Sequence, residues 1–229
     1  MFFNYFKFLF VLLCGAATAC GVVESSSKRN IATPTPAIVK TNLPTSKDEQ
    51  TAVFAGGCFW GLEAVFEHIK GVSDVTSGYS GGDANTADYE IVSDGDSGHA
   101  ESVKITFDPT RVSYEQLLKV FFAVAHDPTE LNRQGPDRGT QYRSAIFYAN
   151  DEQKQSAEKF IAKLTADKVF PRPIVTQISP LKDFYNAEDY HQNYLAQHPN
   201  ERYIVINDQP KVENLQKQFP DLYKSNQQS

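Results

Sequence analysis

Cys58 is the residue with the clearest chemical potential, because it is the only cysteine after position 20. It lies in the run GGCFWG at residues 56–61, where a strand-like segment gives way to a helix-like one. A helix N-terminus presents unpaired amide groups, so a thiol there is expected to have a lowered pKa and to be nucleophilic. A free cysteine is equally often an inert buried residue, and Cys58 on its own leaves both interpretations open.

Phe59 and Trp60 directly follow the thiol, and Trp60 is the only tryptophan of the chain. Such a pair usually packs in a core, but it would also make an apolar wall beside the sulfur. Tyr89 and Glu101 belong to a second group, and Glu101 opens a predicted strand. A carboxyl group in an apolar pocket has a raised pKa and can act as a general acid. A solvated glutamate at a strand end is the simpler interpretation of Glu101 taken alone.

Two further groups carry polar side chains at close spacing. Residues 133–144 are rich in hydrogen-bond donors and include Asp137 and Tyr142. His191 and Tyr194 are three residues apart, which predicts that they share a helix face. No metal site is expected, because one cysteine and five scattered histidines repeat no ligand spacing. The glycines around Cys58 also lack the lysine and hydroxyl residue of a phosphate-binding loop.

The N-terminus has the charged, apolar and small-residue order of a secretory signal, so residues 1–19 are predicted to be a signal peptide. Residues 17–20, ATAC, resemble a bacterial lipobox, in which Cys20 would be lipidated. Cleavage by an ordinary signal peptidase is the alternative. Residues 20–48 carry serine, threonine and proline without apolar periodicity, which predicts a tether. The expected location is the bacterial cell envelope, with membrane contact only through the lipid anchor.

Residues 49–229 have the length of one domain with an adequate core. The chain has 22 basic and 28 acidic residues and a net charge of −6, without a basic cluster, which argues against a nucleic-acid partner. Two long loops rich in glycine and aspartate, 80–98 and 126–139, are typical of binding loops.

Strands are predicted to alternate with helices, which indicates an α/β or α+β domain with helices packed on a sheet. The predicted strands are residues 51–55, 72–79, 101–107, 142–149, 174–178 and 202–206. The predicted helices are residues 59–69, 114–125, 152–166, 187–197 and 212–218. Ser113 with Gln116 is expected to form a capping box, and Asn150 is expected to be an N-cap.

Taken together, these segments resemble the A-type peptide methionine sulfoxide reductases, which act on the S epimer of methionine sulfoxide. The resemblance covers about residues 51–223 and rests on five segments in the family's order. They are GCFWG at 57–61, GYSGG at 78–82, GHAE at 98–101, GTQYRS at 139–144 and AEDYHQNYL at 187–195. The resemblance implies a two-layer sandwich with a ferredoxin-like core, in which helices cover a mixed sheet.

The resemblance also implies a role for each residue that it matches. Cys58 would attack the sulfoxide sulfur, and Glu101 would protonate the oxygen, leaving a sulfenic acid on Cys58. Substrate contacts would come from Phe59, Trp60, Tyr89 and Tyr142, with support from Asp137, His191 and Tyr194. The implied mechanism uses a thiol and no metal, flavin or nicotinamide, and the substrate would be methionine sulfoxide in peptides or proteins, with free methionine sulfoxide possible.

The chain departs from many family members, because residues 210–229 contain no resolving cysteine. The second thiol is therefore expected from outside, from a thioredoxin-like protein or a small-thiol reductant, and the protein is expected to be a monomer. Two rival functions remain at this point. One is a hydrolase or acyltransferase that pairs Cys58 with His99 or His191. The other is a lipid-anchored module that binds methionine-containing partners without turnover.

Overall fold

The computed structural model describes residues 49–225. The predicted signal peptide, Cys20 and the predicted tether lie outside the described residues. A six-stranded sheet organises the described part, in the order β7-β6-β1-β3-β2-β8. Its strands are β1 Gln50–Ala55, β2 Val72–Ser80, β3 Ala100–Phe107, β6 Ala145–Tyr148, β7 Gln177–Pro180 and β8 Phe184–Asn186. A separate two-stranded hairpin consists of β4 Arg133–Gln134 and β5 Asp137–Arg138.

The centre of the sheet confirms the expected ferredoxin-like core. The strands β6, β1, β3 and β2 are neighbours in that order, and every pair among them is antiparallel. Helix α1, Phe59–Glu67, connects β1 to β2, and β3 is inserted between these two strands. This is the split βαβ arrangement. β7 pairs parallel with β6, which makes the whole sheet mixed.

Helices cover one face of the sheet, and strand alternation separates the two faces. Ala52 and Phe54 of β1 point into the main core. Val53 and Ala55 point to the other face, where a smaller cluster includes Phe147. The helices beyond α1 are α2 Tyr89–Ser93, α3 Tyr114–Val120, α4 Asp151–Ala166, α5 Tyr194–Gln197 and α6 Gln209–Gln218. Among residues 49–225, no helix has both the length and the apolar character needed to cross a membrane.

Local capping chemistry agrees with the sequence at α3 and α4. The Ser113 hydroxyl accepts a hydrogen bond from the Gln116 amide, and the Gln116 side chain accepts one from the Ser113 amide, so the predicted capping box is confirmed. Asn150 accepts a hydrogen bond from the amide of Gln153 and caps α4 as predicted.

The strand predicted at 202–206 is wrong. This segment is helical and continues through a π-helical turn, Ile204–Asp208, into α6. The β-branched residues favour a strand, but only Ile204 is buried, whereas Val205 and Ile206 are exposed. A single buried residue in three fits a helix that packs on one side.

The helix predicted at 187–197 is also largely wrong. Only a 3₁₀ turn, Asp189–His191, and the short α5 form there, because Asn193 adopts a left-handed conformation with φ 54°. The side chain of Gln192 bonds the backbone of Ser77 and so holds this segment against β2.

Other differences concern boundaries. The strand predicted at 174–178 begins only at Gln177, and the one predicted at 142–149 begins only at Ala145, since Tyr142 belongs to a 3₁₀ turn. β8 and α2 are not predicted from the sequence. The two long loops do contain structure, because α2 lies in the first and the β4–β5 hairpin in the second.

The edge strand β8 depends on a glycine. Gly78 of β2 pairs with Asn186, and a Cβ atom at Gly78 would overlap the carbonyl oxygen of Tyr185 and the ring of Phe184. We therefore expect Gly78→Ala to lower the free energy of unfolding in urea by about 1–3 kcal/mol. Gly135→Ala is the comparison, since nothing lies within 4 Å of its Cβ position and only its φ of 56° is unfavourable. Equal losses in the two variants would contradict this account of Gly78.

Candidate active site

A cavity of about 150 Å³ contains the sequence-predicted chemistry. Seven of the residues that line it are predicted from the sequence, and one, Tyr203, is not. The lining consists of Cys58, Phe59, Trp60, Tyr89, Glu101, Asp137, Tyr142 and Tyr203. These residues come from α1, α2, β3, the β4–β5 hairpin, the 3₁₀ turn before β6, and the segment before α6.

Cys58 occupies the N-cap position of α1, as the sequence predicts, and its side chain is buried. Two close approaches fix the turn before it: Gly56 packs against the ring of His126, and Gly57 has φ 90° and packs against Gln134. The expected lowering of the thiol pKa is wrong. Burial and the charges of Glu101 and Asp208 raise the pKa of Cys58 well above its ordinary value and outweigh the hydrogen bond from the Trp60 amide.

Glu101 lies inside the protein and not in solvent at a strand end, since it is 2% exposed on the central strand β3. Its Oε2 accepts a hydrogen bond from the amide of Phe59 at 3.1 Å. Burial raises the pKa of Glu101 to about 8, despite that hydrogen bond. The Cys58 thiol lines the same cavity and slightly opposes this rise in the pKa of Glu101. At neutral pH a protonated acid therefore sits beside the thiol.

Trp60 forms a wall of the cavity and is held on two sides. The ring of Tyr194 stacks on it at 3.7 Å between centroids, and its Nε1 donates to Nδ1 of His191 at 3.2 Å. His191 also packs against Phe59, with ring centroids 5.0 Å apart. The structure thus places His191 and Tyr194 behind the wall. They do not share one helix face, because the left-handed Asn193 separates them.

Tyr89 and Tyr142 bring two phenol groups to the cavity, as predicted. Burial raises the pKa of Tyr89 to about 12 and raises the pKa of Tyr142 further, so both stay protonated as hydrogen-bond donors. Glu188 positions Tyr89. One of its carboxylate oxygens accepts from the Tyr89 amide at 2.9 Å, and the other accepts from the Tyr79 hydroxyl at 2.8 Å.

Tyr203 is the lining residue that sequence reasoning misses. Its hydroxyl donates to Oδ2 of Asp137 at 2.5 Å, and its ring meets Trp60 edge-on at 5.9 Å. Burial raises the pKa of both Asp137 and Tyr203. Tyr203 is missed because it lies in the segment 202–206, which is wrongly predicted to be a strand. A helical period through 203–215, with Tyr203, Val212 and Leu215 packed in the core, is the signal that identifies its inward position.

The arrangement is suited to transferring an oxygen-bound proton next to a nucleophilic sulfur. A thiol, a protonated carboxyl group and two phenols converge on a small cavity with aromatic walls. His99 is not placed to serve as a base for Cys58, because one ring nitrogen contacts the Gly82 amide and the other contacts the Asp83 carbonyl. His191 does not line the cavity either. Within residues 49–225, no cluster of three potential metal ligands is arranged around a common point.

Burial of Glu101 predicts a pH-dependent stability. Its pKa rises from 4.5 to about 8 on folding, so the stabilisation is complete below pH 4.5 and is lost as the pH rises to 8. The loss is on the order of 5 kcal/mol at most. We expect the unfolding free energy of Glu101→Gln, relative to the parent, to rise between pH 5 and pH 8.

Urea unfolding across this pH range measures the difference. Glu158→Gln is the matched control, because Glu158 is exposed on α4. In this variant we expect the free energy of unfolding to depend on pH as it does in the parent. A Glu101→Gln variant whose stability follows the parent at every pH would contradict the buried, protonated Glu101.

Comparison with known proteins assigns the chain to a family. Residues 50–223 match the model of the family described as "peptide methionine sulfoxide reductase". A peptide methionine sulfoxide reductase of Mesorhizobium japonicum is 59% identical over 174 residues, which cover 76% of this chain and 89% of the relative. One of Chromobacterium violaceum is 50% identical over 173 residues, which cover 76% of this chain and 98% of the relative.

Solved structures agree with the sequence comparison. Reduced Mxr1 of Saccharomyces cerevisiae is similar with a TM-score of 0.63 and 33% identity, over 69% of this chain and 90% of that one. Methionine sulfoxide reductase A of Corynebacterium diphtheriae is similar with a TM-score of 0.60 and 34% identity, over 68% of this chain and 78% of that one. The chain therefore belongs to the peptide methionine sulfoxide reductase family and is a thiol-dependent oxidoreductase that reduces methionine sulfoxide.

Proposed function

We propose that Cys58 is the nucleophile of this reductase, that Glu101 is its general acid, and that the substrate is the S epimer of methionine sulfoxide in peptides and proteins. Free methionine sulfoxide is a further candidate substrate. The observation that carries the proposal is the buried Cys58 thiol beside a carboxyl group whose pKa is raised to about 8. Binding without turnover would not require a carboxyl group that burial keeps protonated beside a thiol.

Cys58 and Glu101 together account for the atoms, protons and electrons of the chemical step. The Cys58 sulfur attacks the sulfoxide sulfur while Glu101 gives its proton to the sulfoxide oxygen, which makes that oxygen able to leave the substrate sulfur. The attack forms a transient bond between the two sulfur atoms. That bond and the S–O bond of the substrate then break, and the oxygen with its proton passes to the Cys58 sulfur as a sulfenic acid. The thiol proton returns to Glu101. The substrate sulfur gains two electrons and leaves as the thioether of methionine, and the cysteine sulfur loses two.

The cavity walls orient the substrate for this step. The rings of Phe59 and Trp60 offer an apolar surface to the methyl group. The phenols of Tyr89 and Tyr142 stay protonated and can donate to the sulfoxide oxygen. Asp137, His191 and Tyr194 support the walls, since Asp137 binds the Tyr203 hydroxyl and the other two contact Trp60.

Reduction of the Cys58 sulfenic acid back to a thiol requires a thiol from another molecule. Cys58 is the only cysteine in residues 49–229, so an intramolecular disulfide within the domain is impossible. A thiol of a thioredoxin-like protein or a small-thiol reductant attacks the sulfenic acid, forms a mixed disulfide with Cys58 and releases water. A second thiol then reduces this disulfide and restores Cys58. A single chain supplies every residue of the cavity that the proposal uses, which is compatible with a monomeric enzyme.

The N-terminal sequence supports a place in the bacterial cell envelope. An apolar signal, a lipobox-like ATAC at residues 17–20 and a tether of about thirty residues would hold a lipidated protein at a membrane and its domain away from it. In that location the enzyme repairs oxidised envelope proteins. The anchor uses Cys20, which lipidation makes unavailable as a resolving thiol.

Substitution of the thiol tests the mechanism. We expect Cys58→Ser to lower reduction of the S epimer at least a thousandfold while leaving thermal unfolding near that of the parent, because serine is close in size and a poorer nucleophile. The assay uses separated S and R epimers of a methionine sulfoxide peptide, with dithiothreitol and then with thioredoxin. Measurable turnover by Cys58→Ser, or a preference for the R epimer, would contradict the proposal. With substrate and no reductant, mass spectrometry should find one added oxygen on Cys58.

The mature N-terminus tests the location. Mass spectrometry of the protein purified from its native membranes should find a diacylated or triacylated peptide that begins at Cys20. Cys20→Ser should shift the protein from the membrane fraction to the soluble fraction without changing its reductase activity in detergent. An unmodified Cys20 in the mature protein would reject the lipid anchor.

A further inference from the structure

Asp208 is a buried carboxylate that the reaction does not use. It ends the π-helical turn before α6 and is 0% exposed. Its Oδ1 accepts from Nζ of Lys211 at 3.0 Å, whereas its Oδ2 has no hydrogen-bond partner among the described residues. A buried carboxylate that is only half paired costs stability, which makes Asp208 a candidate for a functional role.

The Asp208–Lys211 pair lies directly against the helix that begins at Cys58. Gly61, in the first turn of α1, has no side chain, and a Cβ atom there would overlap Oδ1 of Asp208 and come within 2.7 Å of Nζ of Lys211. The absence of a side chain at Gly61 therefore lets the ion pair reach the backbone of the active-site turn. Among the salt bridges of the described residues, no other has a buried carboxylate.

Burial raises the pKa of Asp208, and the Lys211 charge lowers it. Among the described residues, the titratable groups that interact with this pair come from several elements. Cys58 comes from α1, Glu101 from β3, Asp137 from β5, and Tyr203 from the segment before α6. His126 faces Lys211 and is neutral, since burial lowers its pKa to about 4. The Asp208 charge raises the pKa of both Cys58 and Glu101, whereas the Lys211 charge lowers the pKa of Cys58.

We propose that Asp208 and Lys211 are a positioning pair that acts through charge and sets the pH at which Cys58 becomes a thiolate and Glu101 loses its proton. This inference deepens the proposed function and rests on its assignment of nucleophile and acid. The carboxylate of Asp208 adds to the effect of burial in keeping both groups protonated in the empty cavity, so that Glu101 still holds a proton when substrate arrives. Lys211 limits this effect. The pair touches neither substrate nor reacting atoms.

The experiment measures the thiol itself, apart from turnover. The rate at which iodoacetamide alkylates Cys58 in the full-length mature protein is followed from pH 6 to pH 11. In Asp208→Asn, an isosteric change that removes the charge, we expect the midpoint of the profile to fall by about one pH unit, the effect of one nearby buried charge. Lys211→Met should raise the midpoint. Lys211→Arg should restore the parent profile, because it keeps the charge.

The matched control is Glu213→Gln, which removes a carboxylate from the exposed Glu213–Lys217 pair on the same helix α6 and should leave the midpoint unchanged. A midpoint in Asp208→Asn that equals the parent's, with an unchanged circular dichroism spectrum, overturns the inference. If Asp208→Asn does not fold, Lys211→Met decides, and a midpoint that is equal or lower then overturns it. A parent protein that fails to reduce sulfoxides would reject the proposed function, and the thiol titration would be unaffected.

Discussion

One hydrogen bond, from the amide of Phe59 to Oε2 of Glu101, connects the two elements on which the site depends. It is 3.1 Å long and buried, and it spans 42 positions in sequence between the start of α1 and the start of β3. The same helix turn presents the thiol of Cys58, so fixing this amide to the carboxyl group also fixes the distance between the proposed nucleophile and the proposed acid. The antiparallel pairing of β1 with β3 makes the arrangement rigid, because Ala55 and Ser102 are partners at this end of the sheet.

The electrostatics of the cavity follow from burial more than from any single partner. Cys58, Glu101, Asp137 and both phenols all have raised pKa values, and burial is the largest cause for each. A raised pKa keeps an acid or a thiol protonated and therefore neutral. The helix N-terminus is present at Cys58, but its amide hydrogen bond is weaker than the loss of water. Without substrate, Cys58, Glu101 and both phenols of the cavity are therefore protonated and neutral. Lys211 is a nearby positive charge, paired with the carboxylate of Asp208.

Local patterns predicted the parts of the site that depend on local structure. The strand-to-helix turn at Cys58, the central strand that carries Glu101 and the caps of α3 and α4 could all be read from periodicity and residue type. Tyr203 is not predicted, because the three β-branched residues after it favour a strand over the helical period that places it inward. Its hydrogen bond to Asp137, 66 residues away, is not visible in any local pattern. The helix predicted at 187–197 is wrong for a related reason. Its backbone is held by distant side chains, such as Glu63 on the amide of Asn193, and this overrides helix propensity.

The cavity of about 150 Å³ has a consequence for the choice of target. It has room for the tip of one side chain, with its sulfur, oxygen and methyl group, and none for a stretch of peptide backbone. Its aromatic wall is packed in place, since Trp60 stacks on Tyr194. An oxidised residue must therefore project from its own protein far enough to enter alone. The local unfolding of the damaged protein, as much as the chemistry of the reductase, would then decide which lesions are reached.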